Sequence, residues 1–341
     1  MADSTGNDNG TLRQIAERAG VHVSTVSRVL RREEPAGGWS AAALRVLAVA
    51  QEMGYRPNLV ASSLRTRRSR TIGLVMPRLT DFVVSAICQA IESAARYSGY
   101  HAMLTTPPDD MGAQMESVDY LLSRQVEGII VTSLHRDDTV FSYRMAHLPV
   151  PVVATNRHVG PEIPAVVGDD FNGGYLATEY LLKLGHSRIG IVAGPRHAST
   201  AYDRLLGYRK ALADQAKPID EALIIHTDFE AEGGVVGTHS LLSLADPPTA
   251  IFAVNDTAAI GVMGAARQRG LSIPNDLSLV GYNDIPIVAQ LPIPLTTIHS
   301  DLNNMGAAAV QSLLAAIDSG KPQAKVLPVS LVVRSSATAH A

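Results

Sequence analysis

The chain has 341 residues, 46% hydrophobic and 18% charged, which supports a globular protein with a sizeable core and excludes a disordered one. Its single cysteine, Cys88, rules out a disulfide framework and fits a reducing compartment. The net charge of −3 is unevenly divided: residues 1–70 hold 11 Arg, no Lys and 6 acidic residues, while the remainder holds 18 basic and 26 acidic residues. Attraction to phosphate therefore belongs to the N-terminal end.

The first ten residues, MADSTGNDNG, are polar and acidic and carry no leader pattern. No apolar run reaches the ~18 residues of a membrane span. A cytoplasmic protein without membrane contact is expected. Residues 11–30 read TLRQIAERAGVHVSTVSRVL. Leu12, Ile15, Ala16 and Ala19 fall on one helical face, Gly20 breaks the pattern, and Val23, Val26, Val29 and Leu30 mark a second helix. Ala16, Gly20 and Val26 have helix-turn-helix spacing: a small residue for close approach, a glycine for the turn, a β-branched residue between the helices.

The second helix is predicted to enter the major groove of double-stranded DNA. Val23, Ser24, Thr25, Ser27 and Arg28 are its candidate DNA-facing residues, with Arg28 able to pair with guanine or with phosphate, and Thr11, ahead of the first helix, is a further DNA-binding candidate. After RREEPAGG, a third helix is expected over about Ser40–Met53, capped by Ser40, stopped by Gly54 and packed through Trp39. Pro57-Asn58 then opens a short helix, Leu59–Leu64, followed by RTRRSR, a phosphate-contacting connector. Asn58, Leu64 and Arg65 complete the DNA-binding candidates, Leu64 as an apolar wedge in the minor groove.

From residue 71 onward short apolar runs alternate with helical patterns, the mark of a doubly wound α/β body. Strands are expected at Ile72–Met76, Ala102–Thr105, Gly128–Thr132, Val152–Thr155, Arg188–Ala193, Leu223–His226, Ala250–Val254 and Leu279–Tyr282, with a last strand around Val326–Arg334. Helices are expected at Val84–Ser98, Ala113–Arg124, Gly173–Leu184, Arg204–Ala213, Gly233–Leu244 and Thr257–Gln268. Ligands in such folds sit at the carboxyl ends of strands. The effector candidates there are Asp81, Phe82, Val83, Asn156, Arg157, Asp170, Thr200, Arg204, Phe229, Asn255 and Asn283. Carboxylates, amides, guanidiniums and an aromatic suit a polyol, whose hydroxyls need fixed donors and acceptors. Asp256 reads as the N-cap of Thr257–Gln268, and His186 as a helix-end cap. No GxxxxGK[ST], GxSxG, HExxH or CxxC occurs and the histidines lack metal spacing, so no enzyme, metal or cofactor is expected.

The motifs TLRQIAERAG, STVSRVL, GYRPN, RTIGLVMP, VEGIIVTS, LLKLGHSRIGIVAGP, RLLGYRKAL, PTAIFAVND, LVGYNDI and PLTTIHSD resemble those of the LacI/GalR family of bacterial regulators. The resemblance covers Thr11 to about Arg334. It implies an all-α helix-turn-helix head (1–56), a hinge helix and basic connector (57–70), and an α/β two-lobed periplasmic-binding-protein-like body (71–341) whose chain crosses between lobes near Gly168, Leu295 and Lys321. It further implies a homodimer on a pseudo-palindromic operator, acting as a repressor under a small-molecule effector such as a sugar. Family ligand contacts carry over most directly onto Asn156, Thr200, Arg204, Phe229, Asn255 and Asn283. Five positions depart from the family pattern: His22 stands for the usual serine, Arg31 for a frequent asparagine, Asn283 for aspartate, and Val83 and Val84 for frequent aromatics, and the loop RREEPAGGW is longer than usual. After the last strand only SSATAHA remains, too short for a tetramer-forming helix. The alternative reading, a solute-binding protein without regulatory role, leaves the complete DNA-binding head without a purpose.

Overall fold

Thr11 opens the first helix, α1 (Leu12–Ala19), with a capping box: its hydroxyl accepts from the Gln14 backbone N–H, and the Gln14 side chain accepts from the Thr11 backbone N–H. The computed structural model describes residues 11–30, 38–55 and 68–340. The linker 31–37, the expected helix Leu59–Leu64 and the candidates Asn58, Leu64 and Arg65 lie outside the described residues. The chain divides into two compact units, 1–69 and 70–341.

In the first unit α1 ends at Gly20, which takes a left-handed conformation (φ 66°) that a side chain would strain. α2 (Val23–Val29) and α3 (Ala41–Glu52) follow. Ile15, Ala16, Ala19, Val26, Val29, Val46 and Ala50 form a small shared core, against which Trp39 packs as expected. Ser40 caps α3 through the Ala43 backbone N–H.

The second unit holds two six-stranded sheets. The first, lobe 1, contains β1 (Thr71–Val75), β2 (His101–Thr105), β3 (Ile129–Val131), β4 (Val152–Thr155), β5 (Ala165–Gly168) and β11 (Lys325–Leu327), in the order β11-β5-β4-β3-β1-β2. All its pairings are parallel. The second, lobe 2, contains β6 (Ile189–Val192), β7 (Ile224–Ile225), β8 (Ala250–Ala253), β9 (Ser278–Asn283), β10 (Thr296–Ser300) and β12 (Val329–Val332), in the order β12-β10-β9-β8-β6-β7. Only β12 runs antiparallel. Central strands such as β3, β6 and β8 are buried along their whole length, as parallel strands covered on both faces must be.

Helices α4 (Phe82–Tyr97), α5 (Met111–Ser123) and α6 (Thr139–Ala146) lie in lobe 1. In lobe 2 lie α7 (Asp170–Lys183), α8 (Ser199–Asp214), α9 (Ala231–Leu241) and α10 (Asp256–Gln268). The last helix, α11 (Leu302–Ser319), packs back onto lobe 1 against Ile87, Ile91 and Val153.

The chain passes between lobes three times. It crosses at Asp169, between β5 and α7, at Asp301, between β10 and α11, and at Pro328, between β11 and β12. The first position matches expectation. The other two are corrections: Leu295 precedes a lobe 2 strand, and Lys321 follows a lobe 1 helix. The single strand expected around Val326–Arg334 is two strands in different sheets, because Pro328 has no N–H to continue a ladder. Asp169 and Asp301 each cap the helix that follows, through Asn172 and Asn304 backbone N–H groups.

Candidate functional site

The DNA-facing candidates that are described sit on α1 and α2. Val23, Ser24 and Arg28 are exposed, whereas Thr25 and Ser27 are half-buried. Thr11 is occupied by its capping box. His22 caps α2 through Nδ1, which accepts from the Ser24 backbone N–H at 3.2 Å and lies 2.7 Å from Ser24 Oγ. The α2 surface thus offers a hydroxyl, an apolar group and a guanidinium, the mix that reads base edges and phosphates.

In the second unit the carboxyl ends of both sheets face one cleft. Lobe 1 contributes Asp81, Val83, Asn156 and Arg157; lobe 2 contributes Thr200, Arg204, Phe229, Asn255 and Asn283. Two candidates are not brought there. Phe82, at the start of α4, is 41% exposed and outside the lining. Asp170 lies beneath the lining, where its Oδ1 accepts from Arg204 Nε at 2.7 Å. Six residues absent from the expectation also line the cleft: Pro77, Arg78, Val84, Asp109, Thr132 and Ser133. Arg78, Asp109 and Thr132 each follow a strand end of lobe 1, so the strand-end rule that found Asn156 reaches them as well.

Backbone geometry concentrates here. Arg78, Asn156 and Asn283, all cleft-lining, have φ of 60°, 66° and 105°. Left-handed non-glycine residues are strained and gather at functional sites. Asn tolerates this conformation better than most residues. Gly194 (φ 69°) has a second constraint, because a β-carbon there would lie 2.9 Å from the Phe229 ring. The glycine lets that ring reach the cleft.

Several lining residues are also structural. Asn255 caps α10 by accepting from the Ala258 backbone N–H, and its amide donates to the Phe229 carbonyl at 2.8 Å. This corrects the placement of the α10 cap at Asp256, which is the first helical residue. Asp256 accepts from Thr297 Oγ1 at 2.6 Å and from the Ile285 backbone N–H. Burial pushes its carboxyl up to about 7, against those hydrogen bonds. His186 is also corrected from a helix-end cap. It is buried and joins Thr249 Oγ1 to the Thr338 carbonyl.

At the cleft edge, residues far apart in sequence converge. Asp109 Oδ1 lies 3.0 Å from His135 Nε2, and Asp109 Oδ2 lies 3.8 Å from His197 Nε2 and 3.6 Å from Arg157 Nη1. The two imidazoles lie 3.9 Å apart between ring centroids, tilted by 32°. Burial works to raise the Asp109 carboxyl, but the His135 hydrogen bond and the neighbouring charges outweigh it and hold it at about 2. These three residues could supply two imidazoles and a carboxylate to a metal ion. The Arg157 charge beside the carboxylate opposes a second cation, and the group is an inter-lobe contact in which His197 of lobe 2 lies against the His135 ring and 3.8 Å from the Asp109 carboxylate of lobe 1. A second such contact joins His158 of lobe 1 to Asp203 of lobe 2 at 2.7 Å.

Fold and site together define a protein with a helix-turn-helix head and a two-lobed ligand-binding body. Residues 11–58 match the model of bacterial regulatory proteins of the lacI family, and residues 178–337 match the periplasmic binding protein-like domain. The chain is 30% identical over 310 residues to the HTH-type transcriptional repressor PurR of Vibrio atlanticus (strain LGP32), spanning 90% of this chain and 92% of that protein. It superposes on a crystal structure of the Lac repressor dimer bound to operator and the anti-inducer ONPF with a TM-score of 0.85 and 31% identity, covering 97% and 99% of the two chains. It is similar as well to the transcriptional regulator CelR in complex with cellobiose, with a TM-score of 0.74, 31% identity and 96% and 99% coverage. The chain belongs to the LacI family of bacterial transcriptional regulators. Among the described residues no helix is long and apolar enough to cross a membrane.

Proposed function

We propose that this regulator works in the cytoplasm as a homodimeric repressor on a pseudo-palindromic operator. Residues 1–56 read DNA, 57–70 form the hinge and connector, and 71–341 sense a small-molecule effector of sugar-like size and polarity. The observation that carries this reading is the cleft lining. Asn156 and Arg157 come from lobe 1, and Thr200, Arg204, Asn255 and Asn283 from lobe 2. A ligand touching both lobes prefers one lobe arrangement, and that difference in affinity is what shifts DNA binding. The Lac repressor structure with operator and the CelR structure with cellobiose support the same two partners for this chain.

The test is selection of duplexes from a random pool by the full chain at low salt, followed by anisotropy titration of the selected site with candidate effectors. We expect an inverted repeat and a salt-dependent affinity that an effector changes by about 5- to 150-fold. Absence of salt-dependent duplex binding would return the chain to the class of solute binders.

A further inference from the structure

Three guanidiniums face the cleft, and they are not equivalent. Arg204 is committed to Asp170 and to the Val254 carbonyl. Arg78 is committed to Glu230, at 2.6 Å, with Asp81 at 3.8 Å. Arg157 has no hydrogen-bonded carboxylate. It is 6% exposed, its Nε and Nη1 make no hydrogen bond among the described residues, and its nearest acid, Asp109, stands 3.6 Å away and is already bonded to His135. The Phe229 ring, 5.7 Å from its Cζ, gives it only a weak cation–π contact. Burial accordingly pulls the Arg157 pKa down from its ordinary value.

Thr132, 2% exposed and also in the cleft lining, presents a second buried polar atom, Oγ1, with no hydrogen bond among the described residues. The Asp109 charge reaches Arg157 only at 3.6 Å and is shared with His135, so Nε and Nη1 stay buried without hydrogen bonds among the described residues, and an oxyanion satisfies such donors more strongly than a hydroxyl does. Thr132 adds a hydroxyl donor to the lining of the same cleft.

Resting on the effector-gated reading above, we propose that the effector carries an oxyanion, a carboxylate or a phosphate monoester on a polyhydroxyl frame, and that Arg157, assisted by Thr132, receives it from lobe 1. The lobe 2 amides Asn255 and Asn283 then face the hydroxyls. Arg204 supports the floor and does not supply the anion contact, because its charge is already neutralised by Asp170.

The test uses the full chain and matched pairs: glucose against glucuronate, gluconate and glucose 6-phosphate, galactose against galacturonate and galactonate, and ribose against ribose 5-phosphate. Binding is read by calorimetry for wild type, Arg157→Gln and Arg157→Lys. At least one oxyanion should bind at least about 10-fold tighter than its neutral partner, the scale of a charged hydrogen bond. Arg157→Gln should remove that preference, a loss of about 10- to 100-fold, and Arg157→Lys should keep part of it. Binding of uronates or aldonates identifies the carboxylate, and binding of sugar phosphates the phosphate.

The wild-type pairs decide the matter even if Arg157→Gln does not fold. Equal affinity within every pair, an oxyanion affinity unchanged in Arg157→Gln, or no oxyanion binding at all overturns the proposal. A neutral sugar that binds and moves DNA affinity removes the oxyanion and leaves the effector-gated regulator standing. If no compound of either kind moves DNA affinity, both readings fall.

Discussion

Asp170 and Arg204 form an ion pair 2.7 Å long, with side chains 7% and 5% exposed, directly behind the crossing residue Asp169. Arg204 also donates to the Val254 carbonyl, so one guanidinium ties α7, α8 and the end of β8 together. Removing one partner of such a pair leaves an uncompensated buried charge. Asp170→Asn should therefore lower unfolding free energy by about 3–5 kcal/mol. The double variant Asp170→Leu with Arg204→Met should recover much of that loss. Urea denaturation measures both, and an Asp170→Asn variant of wild-type stability would refute the structural role. Arg204→Ala should cost stability and effector affinity together, since the side chain both braces and lines the cleft.

The bond between His158 and Asp203 makes the inter-lobe contact depend on pH. The Asp203 hydrogen bond raises the His158 pKa above its ordinary value, against burial. The unfolded-state value is about 6.5. A raised folded-state value means that the contribution is full below that pH and disappears as pH rises through the folded value. Melting temperatures of wild type and His158→Gln should differ most near pH 5 and converge toward pH 8. A difference that does not vary with pH would show that the bond carries no titrating charge.

In the head, capping and contact roles separate. Thr11→Ala should destabilise the first unit by about 1 kcal/mol through loss of the capping box. Arg28→Ala should leave stability unchanged, because the side chain is exposed. If Arg28 neutralises a phosphate, the slope of log K against log salt should fall by about 1; if it reads guanine, selectivity should fall instead. Thermal melts together with titrations on specific and random DNA distinguish these results. An Arg28→Ala variant that binds DNA like wild type would remove the residue from the interface.

Gly194→Ala places a methyl group against Phe229 at a left-handed position. We expect a stability loss of about 1–3 kcal/mol, the scale of one strained residue, and a weakened effector affinity as the ring shifts. Calorimetry on the variant measures the second effect, and unchanged effector affinity would show that the ring does not contact ligand.

The periodic parts of the molecule were legible in the sequence. Both head helices, Gly20 and the Ser40 cap appear where the apolar spacing placed them, and eight body strands lie within one or two residues of expectation. α6 and α11 were missed. α11, LNNMGAAAVQSLLAAIDS, is rich in small residues and therefore shows a diffuse apolar face. Pro328 divides a run that reads as one strand, and a division between sheets leaves no periodic mark. At the cleft, strand-end residues were visible because every parallel strand of a doubly wound sheet delivers its carboxyl end to the same side. Partnerships were not visible. That Asp170 belongs to Arg204, or that Asp109, His135 and His197 meet from two lobes, depends on separations of 26 to 88 positions, which no local pattern encodes.

The three crossings have a mechanical consequence. Each spans a single residue, the Asp169 backbone N–H donates to the Leu327 carbonyl, and a β-carbon at Gly168 would lie 3.4 Å from Ser300 and 3.6 Å from Val329. Short straps set side by side behave like a piano hinge: bending across the line is soft, while sliding and twisting are stiff. The cleft then has one free coordinate. Every molecule that fits there, whatever its chemistry, pulls the same lever, and ligands differ only in how far along its travel they stop.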